Sequence, residues 1–200
     1  MSATSVEVPS APTELTVQNY DESMTLNLAD LDRAREATLA EVEHDITAGV
    51  LYRSKRLTDA GWAAYPELLK DASARGDDAT LAASLLQLGY WLDQEQSQSS
   101  KGKVYMKKVP VNAHETLAES EFNRFYLRGL CRVALETGCS EIVVYRAKAV
   151  ANPRPESEAL IGQTFDPTTL LEDLRAHIGV DTALGLPQGP NSGLSGRLAS

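Results

Sequence analysis

The sequence predicts an α+β fold that is predominantly helical, with a helical N-terminal half, an αβ C-terminal half and extended arms at both termini. Apolar residues recur at helical spacing through residues 28–94. The clearest strand pattern, EIVVYRAKAV at 141–150, has a β-branched and aromatic centre. The chain has 200 residues, of which 42% are hydrophobic, so it is long and apolar enough to close one main core.

Three helices are predicted in the helical region, residues 28–94. The first begins near Leu28 and ends at Gly49, a residue type that favours a helix C-cap. The second begins after Thr58 as its N-cap, and Pro66 either kinks it or starts a separate helical piece. The third follows Asp77 and carries a strongly apolar face.

The two halves are separated by a polar stretch over 95–103, which predicts a surface loop. Beyond it, residues 104–179 predict a helix-strand-helix region. Its longest helix begins at Asn112, where Glu115 completes a capping-box pattern, and ends at Gly138. The other predicted elements are an extended segment over 104–111, the strand over 141–150, a short helix over 158–161 and a helix from Asp166 to Gly179.

Both ends of the chain predict arms. Residues 1–27 are rich in Ser, Thr and Pro and alternate weakly, which is typical of an extended N-terminal arm. Residues 180–200 form a tail too rich in Gly, Pro and Ser to fold by itself. Arms of this kind are natural where chains hold neighbouring subunits together.

The charge of the chain is divided unevenly along its length. The formal net charge is −9, but residues 1–100 hold 7 basic and 17 acidic side chains, whereas residues 101–200 hold 12 and 11. An acidic half therefore faces an almost neutral half. This favours contact between the two halves, or between copies of the chain, over contact with a free polyanion.

An arginine stripe is the most informative pattern in the C-terminal half. Arg124, Arg128 and Arg132 recur at i, i+4 and i+8, so they lie on one face of the predicted central helix and leave a narrow cationic edge. Guanidinium groups pair with carboxylates or phosphates. Because Glu121 and Glu136 lie within one turn, the favoured interpretation is ion pairing within the chain or between subunits, and a polyanion site is the alternative.

Basic residues of the predicted strand extend this candidate surface. Arg146 and Lys148 join the stripe as candidate anion-binding or partner-contacting residues, and several lysines make a basic edge conceivable over 101–154. The spacing of these residues matches none of the helix-turn-helix, zinc-finger or RNP motifs. The two residues are explained more simply as the polar face of a half-buried strand.

No catalytic, cofactor or metal site is expected from the remaining motifs. His114, Glu115 and Glu119 form HExxxE, which lacks the second histidine of a zinc protease. Cys131 and Cys139 match neither a CxxC pair nor a disulfide framework. The strand also lacks the second carboxylate that a two-metal nuclease would require, and the glycines form no phosphate-binding loop.

Four segments of the C-terminal half resemble sequences of a known protein family. They are SEFNRFYLRGLC at 120–131, VVYRAKAV at 143–150, NPRPESEALIG at 152–162 and DTALGLPQGPNSGL at 181–194. Together they resemble an uncharacterised bacterial and prophage-associated protein family. The resemblance implies no activity, cofactor or catalytic residue, and its association with phage genomes favours a virion component.

The leading functional hypothesis is a non-enzymatic structural or assembly protein, such as a capsid or head accessory component of a phage-like particle. Its expected partners are copies of itself or other virion proteins, without a membrane, in the virion or the cytoplasm, since the N-terminus lacks a signal-peptide pattern. One alternative is an intracellular nucleic-acid or nucleotide-handling protein that uses the basic edge over 101–154. Another is an enzyme with an unrecognised site in a cleft between the halves.

Overall fold

A computed structural model describes residues 25–187, 189 and 192–199. The predicted N-terminal arm over 1–27 lies almost wholly outside these described residues. The α+β class is confirmed, with helices dominant, the N-terminal half helical and strands in the C-terminal half. The elements are α1 Leu31–Ala48, α2 Asp59–Arg75, α3 Asp78–Leu85, β1 Gln94–Gln98, β2 Val104–Lys108, α4 Ala113–Thr137, β3 Ile142–Arg146, α5 Pro155–Leu160, β4 Thr164–Phe165, α6 Pro167–Ala176 and β5 Leu194–Leu198.

The long helix α4 is the centre of the fold. Its residues from Glu121 to Cys131 are all buried, and α1, α3, α6 and β5 pack around it. Gly129 permits the closest of these contacts, because a Cβ there would lie 2.6 Å from the backbone nitrogen of Thr38 on α1. The two helices therefore meet backbone to backbone at this point.

The helix ends agree with the sequence prediction in part. Gly49 ends α1 with a φ of 69°, and Thr58 accepts a hydrogen bond from the Gly61 nitrogen at the start of α2. Pro66 lies within one continuous α2. The capping box is not formed, however, because the side chain of Asn112 accepts no hydrogen bond at the start of α4.

The third helix is shorter than predicted. Helix α3 ends at Leu85, although the apolar pattern continues as far as Trp91. The chain turns at Gly89, which has a φ of 88°, and Trp91 then forms an isolated β-bridge with Leu57. The apolar residues after Leu85 therefore belong to a turn and not to a longer helix.

The C-terminal tail is not a free arm. Its residues Leu194–Leu198 form β5, which pairs antiparallel with β3, and the sheet order is β4-β3-β5. Gly196 permits close packing here, because a Cβ at that position would lie 2.6 Å from Cγ2 of Ile142. The tail folds because its alternating small and apolar residues complete a sheet and core supplied by the rest of the chain, although its composition could not form a core alone.

The polar stretch predicted as a loop is largely a β-hairpin. Strands β1 and β2 pair antiparallel with Gln98 opposite Val104, and the two strands form a separate two-stranded sheet. A backbone ladder requires no apolar side chains, so the composition of 95–103 concealed the strand. Glu95 fixes the base of the hairpin, since its buried carboxylate pairs with Arg56 at 2.8 Å and with Lys107 at 3.3 Å.

Among the helices of the described residues, none has the combination of length and apolar character that crossing a bilayer requires.

Candidate functional site

The arginine stripe lies in the interior of the protein. Arg128 has 0% exposure, and its Nη1 and Nη2 donate to the two carboxylate oxygens of Asp45 at 2.7 and 2.8 Å. Its Nε donates to Glu41 at 2.9 Å. Both acidic residues are on α1, so the acidic N-terminal half supplies the partners of the central arginine. At this position, acidic residues of the N-terminal half therefore neutralise a basic residue of the C-terminal half.

Two further arginines lie close to the carboxylate of Glu41. Arg175 on α6 donates from Nη2 and Nε at 2.6 and 3.1 Å, and Nη1 of Arg132 lies 3.7 Å away. Burial alone would raise the pKa of Glu41, but the hydrogen bonds and charges of Arg175 and Arg128 outweigh burial and lower it. One carboxylate therefore joins α1, α4 and α6.

Asp45 has a similar electrostatic environment. Burial acts to raise its pKa, and the hydrogen bonds and charge of Arg128 outweigh that effect, so the pKa of Asp45 is lowered. His44 lies 3.1 Å from Oδ1 of the same carboxylate, with its own side chain more than half exposed. Asp45 is thus an ionised group held in the interior by its arginine partners.

Arg124 occupies a different environment one turn before Arg128. Its Nη2 donates to Glu121 at 2.5 Å, and its guanidinium stacks on the ring of Phe125 at 4.5 Å from the centroid. The Nε and Nη1 atoms are buried and have no hydrogen-bond partner among the described residues, although Nη1 lies 3.7 Å from Asp45. The side chain is therefore buried with part of its donor capacity unused.

The predicted cationic edge is wrong for two of its three residues. Arg124 and Arg128 are buried, and only Arg132, with a side chain 36% exposed, reaches solvent. The helical spacing placed the three residues on one face correctly, but it gave no sign that acidic residues of α1 cover that face. A polyanion has no access to Arg128, whose contacts agree with the interpretation as internal ion pairs.

Arg146 and Lys148 also have partners within the chain. The Arg146 guanidinium pairs with Glu158 on α5 and donates to the carbonyl oxygen of Ser192 at 2.6 Å. Lys148 Nζ lies 2.6 Å from Oε2 of Glu119 on α4. Each of the five candidate binding residues thus has a carboxylate within 4.0 Å.

The tip and second strand of the hairpin present the most exposed combination of apolar and basic residues. Residues 101–108 are exposed at every position, and Val104, Tyr105 and Met106 leave 52, 45 and 58% of their surface uncovered. We name this segment the hairpin surface, comprising Lys101, Lys103, Val104, Tyr105, Met106 and Lys108. Its three lysines have no carboxylate partner among the described residues. The run of apolar residues between lysines was the only sequence signal for it.

A polar cleft of about 270 Å³ lies between three segments distant in sequence. One wall is the α1–α2 connection at 52–56, the second is the first half of α4, and the third is formed after α6 by residues 179–182, 187, 189 and 192. Lys55, Ser120 and Arg124 contribute polar groups to it. Sequence reasoning anticipated a cleft between the halves but could not identify these residues, because no local motif connects them.

Cysteines and metal-ligating side chains are the other groups in the described residues that could carry chemistry. Burial raises the pKa of Cys131 to about 12, which keeps its sulfur in the unreactive thiol form. Cys131 and Cys139 are both free. Within the part of the chain that the structure describes, no group of three His, Cys, Asp or Glu side chains is arranged to hold a metal ion.

Comparison of the chain with known protein families, with curated proteins and with solved structures finds no match.

Proposed function

We propose that this chain is a non-enzymatic assembly protein that associates with copies of itself through the hairpin surface, as a component of a phage-like particle. The observation that supports the proposal is the exposure of every residue of β2, including three large apolar side chains. Val104 and Met106 lie on one face of the ribbon and Tyr105 on the other. Exposed apolar groups flanked by charges are typical of a protein-protein contact.

The hairpin has little intrinsic support beyond its base. A two-stranded ribbon is only marginally stable in water by itself, and the ion pairs of Glu95 hold only one end of it. Neither strand pairs with another described strand on its outer side, so both edges carry backbone groups free to accept a partner strand. A partner that covers this surface would bury its apolar side chains and pair with an open strand edge.

Charge complementarity supports a second copy of the chain as the partner. The lysines of the hairpin surface are unpaired, whereas Asp32, Glu36 and Glu43 lie exposed on one face of α1, at helical spacing. The side chain of Asp32 is 97% exposed. The hairpin of one copy therefore fits the acidic α1 face of another, which matches the acidic and neutral halves of the sequence.

The assembly is tested by native mass across a concentration series. We expect the wild type to form species larger than its 21.7 kDa monomer. The double variant Tyr105→Ser/Met106→Ser should associate at least tenfold more weakly. A matched control, Leu135→Ser/Ile161→Ser, removes two apolar side chains that are also exposed but lie outside the hairpin. A monomeric wild type at high concentration, or equal behaviour of both variants, contradicts the proposal.

A charge-reversal pair tests the proposed contact directly. Lys101→Glu/Lys103→Glu should weaken association because it places acidic residues opposite the acidic α1 face. Glu36→Lys/Glu43→Lys in the same chain should restore association. If the reversed α1 face restores nothing, the hairpin contacts some other surface. Electron microscopy then tests the particle: closed shells or rings support a virion component, and isolated dimers count against it.

The alternative of a nucleic-acid or nucleotide-handling protein has less support. It relies on the basic edge over 101–154. The lysines of the hairpin surface are unpaired within the described part of the chain, but the five candidate residues within that edge have carboxylate partners. Association with nucleic acid would weaken steeply with salt, with a slope set by the number of phosphate contacts. A mobility-shift titration with nucleic acid at several salt concentrations would reveal this salt dependence.

A further inference from the structure

The polar cleft brings together residues that the proposed assembly does not use. Its walls come from the α1–α2 connection, from α4 and from residues 179–182, 187, 189 and 192, and the hairpin surface contributes no residue to them. A concave site built from three separate segments of a fold is the usual setting for a small ligand. A volume of about 270 Å³ is large enough for a small molecule.

The charges that line the cleft are mostly neutralised within the chain. Arg56 pairs with Glu95, Glu119 with Lys148, and Glu121 with Arg124. Lys55 lines the cleft, is exposed, and has no carboxylate partner among the described residues. An unpaired ammonium at a concave polar surface favours an anionic group of a ligand.

Arg124 supplies a second, independent observation. It lines the cleft, is buried, and has two nitrogens, Nε and Nη1, without a hydrogen-bond partner among the described residues. An unsatisfied buried donor is costly, and such groups in folded proteins call for a partner. Ser120, one turn earlier on α4, has a hydroxyl that is likewise without a partner in the described part of the chain.

Asp181 restricts the class of ligand. It is the one lining carboxylate without an ion pair in the described residues, and it is exposed. A carboxylate there repels a second anionic group but accepts a hydrogen bond from a hydroxyl. The cleft thus combines a cationic side, a hydroxyl and one acceptor.

We propose that this cleft binds a small hydroxylated molecule through a single oxyanion group, a carboxylate or a phosphate, held between Lys55 and Arg124. Ser120 donates a hydrogen bond to the same group, and Asp181 accepts one from a ligand hydroxyl. The site is independent of the hairpin surface, so ligand binding and assembly can succeed or fail separately.

Three related probes test the proposal: glycerol 3-phosphate, glycerate and uncharged glycerol. At concentrations well above its dissociation constant, at least one of the two anions should raise the Tm by about 3 °C, measured against potassium chloride at equal ionic strength. Glycerol at the same concentration should not. A response to only one anion identifies whether the oxyanion is phosphate or carboxylate. If neither anion exceeds the salt and glycerol controls, the proposal is wrong.

Two substitutions locate the binding. Lys55→Gln should weaken it at least fivefold by calorimetry, while the matched control Lys101→Gln, an exposed unpaired lysine on the hairpin, leaves it unchanged. Equal weakening by both would mean diffuse attraction to surface charge and overturns the site. Ser120→Leu should also abolish binding by filling the cleft. The assembly variant Tyr105→Ser/Met106→Ser should bind normally, which separates this site from the proposed function.

Discussion

The guanidinium of Arg128 and the carboxylate of Asp45 form a two-point ion pair inside the protein, with Nη1 2.7 Å from Oδ2 and Nη2 2.8 Å from Oδ1. This parallel geometry matches the fork of an arginine to the two oxygens of a carboxylate. Because Glu41 accepts from Nε of the same arginine, one cation and two anions share one buried position. Loss of Arg128 would leave Asp45 buried without its two-point partner, whereas Glu41 would keep Arg175.

Arg128→Met should lower the free energy of unfolding by about 3–5 kcal/mol, because it leaves a buried carboxylate uncompensated. Urea denaturation followed by circular dichroism measures the change. The control Arg132→Met, on the same helix but partly exposed and 3.7 Å from its nearest carboxylates, should cost less than about 1 kcal/mol. Similar losses in both variants would contradict the buried-pair explanation.

The pH dependence of stability should reflect the lowered pKa values of Glu41 and Asp45. A carboxyl group whose pKa is lowered by folding contributes stability above its ordinary pKa, and this is lost as the pH falls through the folded value. The wild type should therefore lose stability below about pH 4. Arg128→Met should lose less over the same range, since Asp45, which then lacks its main partner, gains from protonation. Parallel acid-denaturation curves would refute this.

Asp78 should have the opposite effect on the pH dependence of stability. Burial raises its pKa to about 7, although its carboxylate accepts hydrogen bonds from the Leu26 nitrogen. The folded state then holds a proton that the unfolded state releases, so stability decreases as the pH rises from about 4 to 7. Asp78→Asn should remove roughly 2 kcal/mol of that decrease. Urea unfolding at pH 5 and 8 measures it, with exposed Asp93→Asn as the control that should change nothing.

Gly129→Ala should separate α1 from α4. The added Cβ would lie 2.4 Å from Oγ1 of Thr38 and 2.6 Å from its backbone nitrogen, and the backbone cannot yield without moving a helix. We expect a loss of roughly 3 kcal/mol, at the upper end for overpacking. Gly49→Ala, with open space around it but a φ of 69°, should cost about 1 kcal/mol. Thermal unfolding compares the two; a smaller effect at residue 129 would refute the close contact.

Removal of residues 194–200 should prevent stable folding. The deletion takes away β5 and exposes one edge of β3, and it removes the partners of Asn123, which donates to the Leu194 carbonyl at 2.8 Å and accepts from Ser195 at 2.7 Å. We expect loss of the cooperative thermal transition and binding of a hydrophobic dye. A truncated chain with an unchanged Tm would mean that the sheet does not need this strand.

Helical periodicity predicted the positions of α1, α4 and α6 well, because each carries a continuous apolar face. Gly49 and Gly138 were recognisable as helix ends for a local reason, since both adopt a positive φ. The helical spacing also placed Arg124 and Arg128 correctly on one face of α4. It did not predict that they are buried, because their burial depends on acidic residues of α1 more than 70 positions away.

The elements that sequence reasoning missed depend on distant partners. The strand Leu194–Leu198 contains Ser, Gly and Arg, and its pairing with Ile142–Arg146 decides its structure. The hairpin strand Gln94–Gln98 is entirely polar, so only the backbone ladder to β2 defines it. The cleft combines three segments in the same way, and no single segment carries a signature of the site.

The hydrogen bond from the Leu198 nitrogen to Asp30 closes a loop across 168 residues, and Arg175 reaches Glu41 across 134. Contacts of this separation must overcome a large loss of chain entropy before they contribute any stability. The protein should consequently refold in milliseconds to seconds, more slowly than helical bundles built from local contacts.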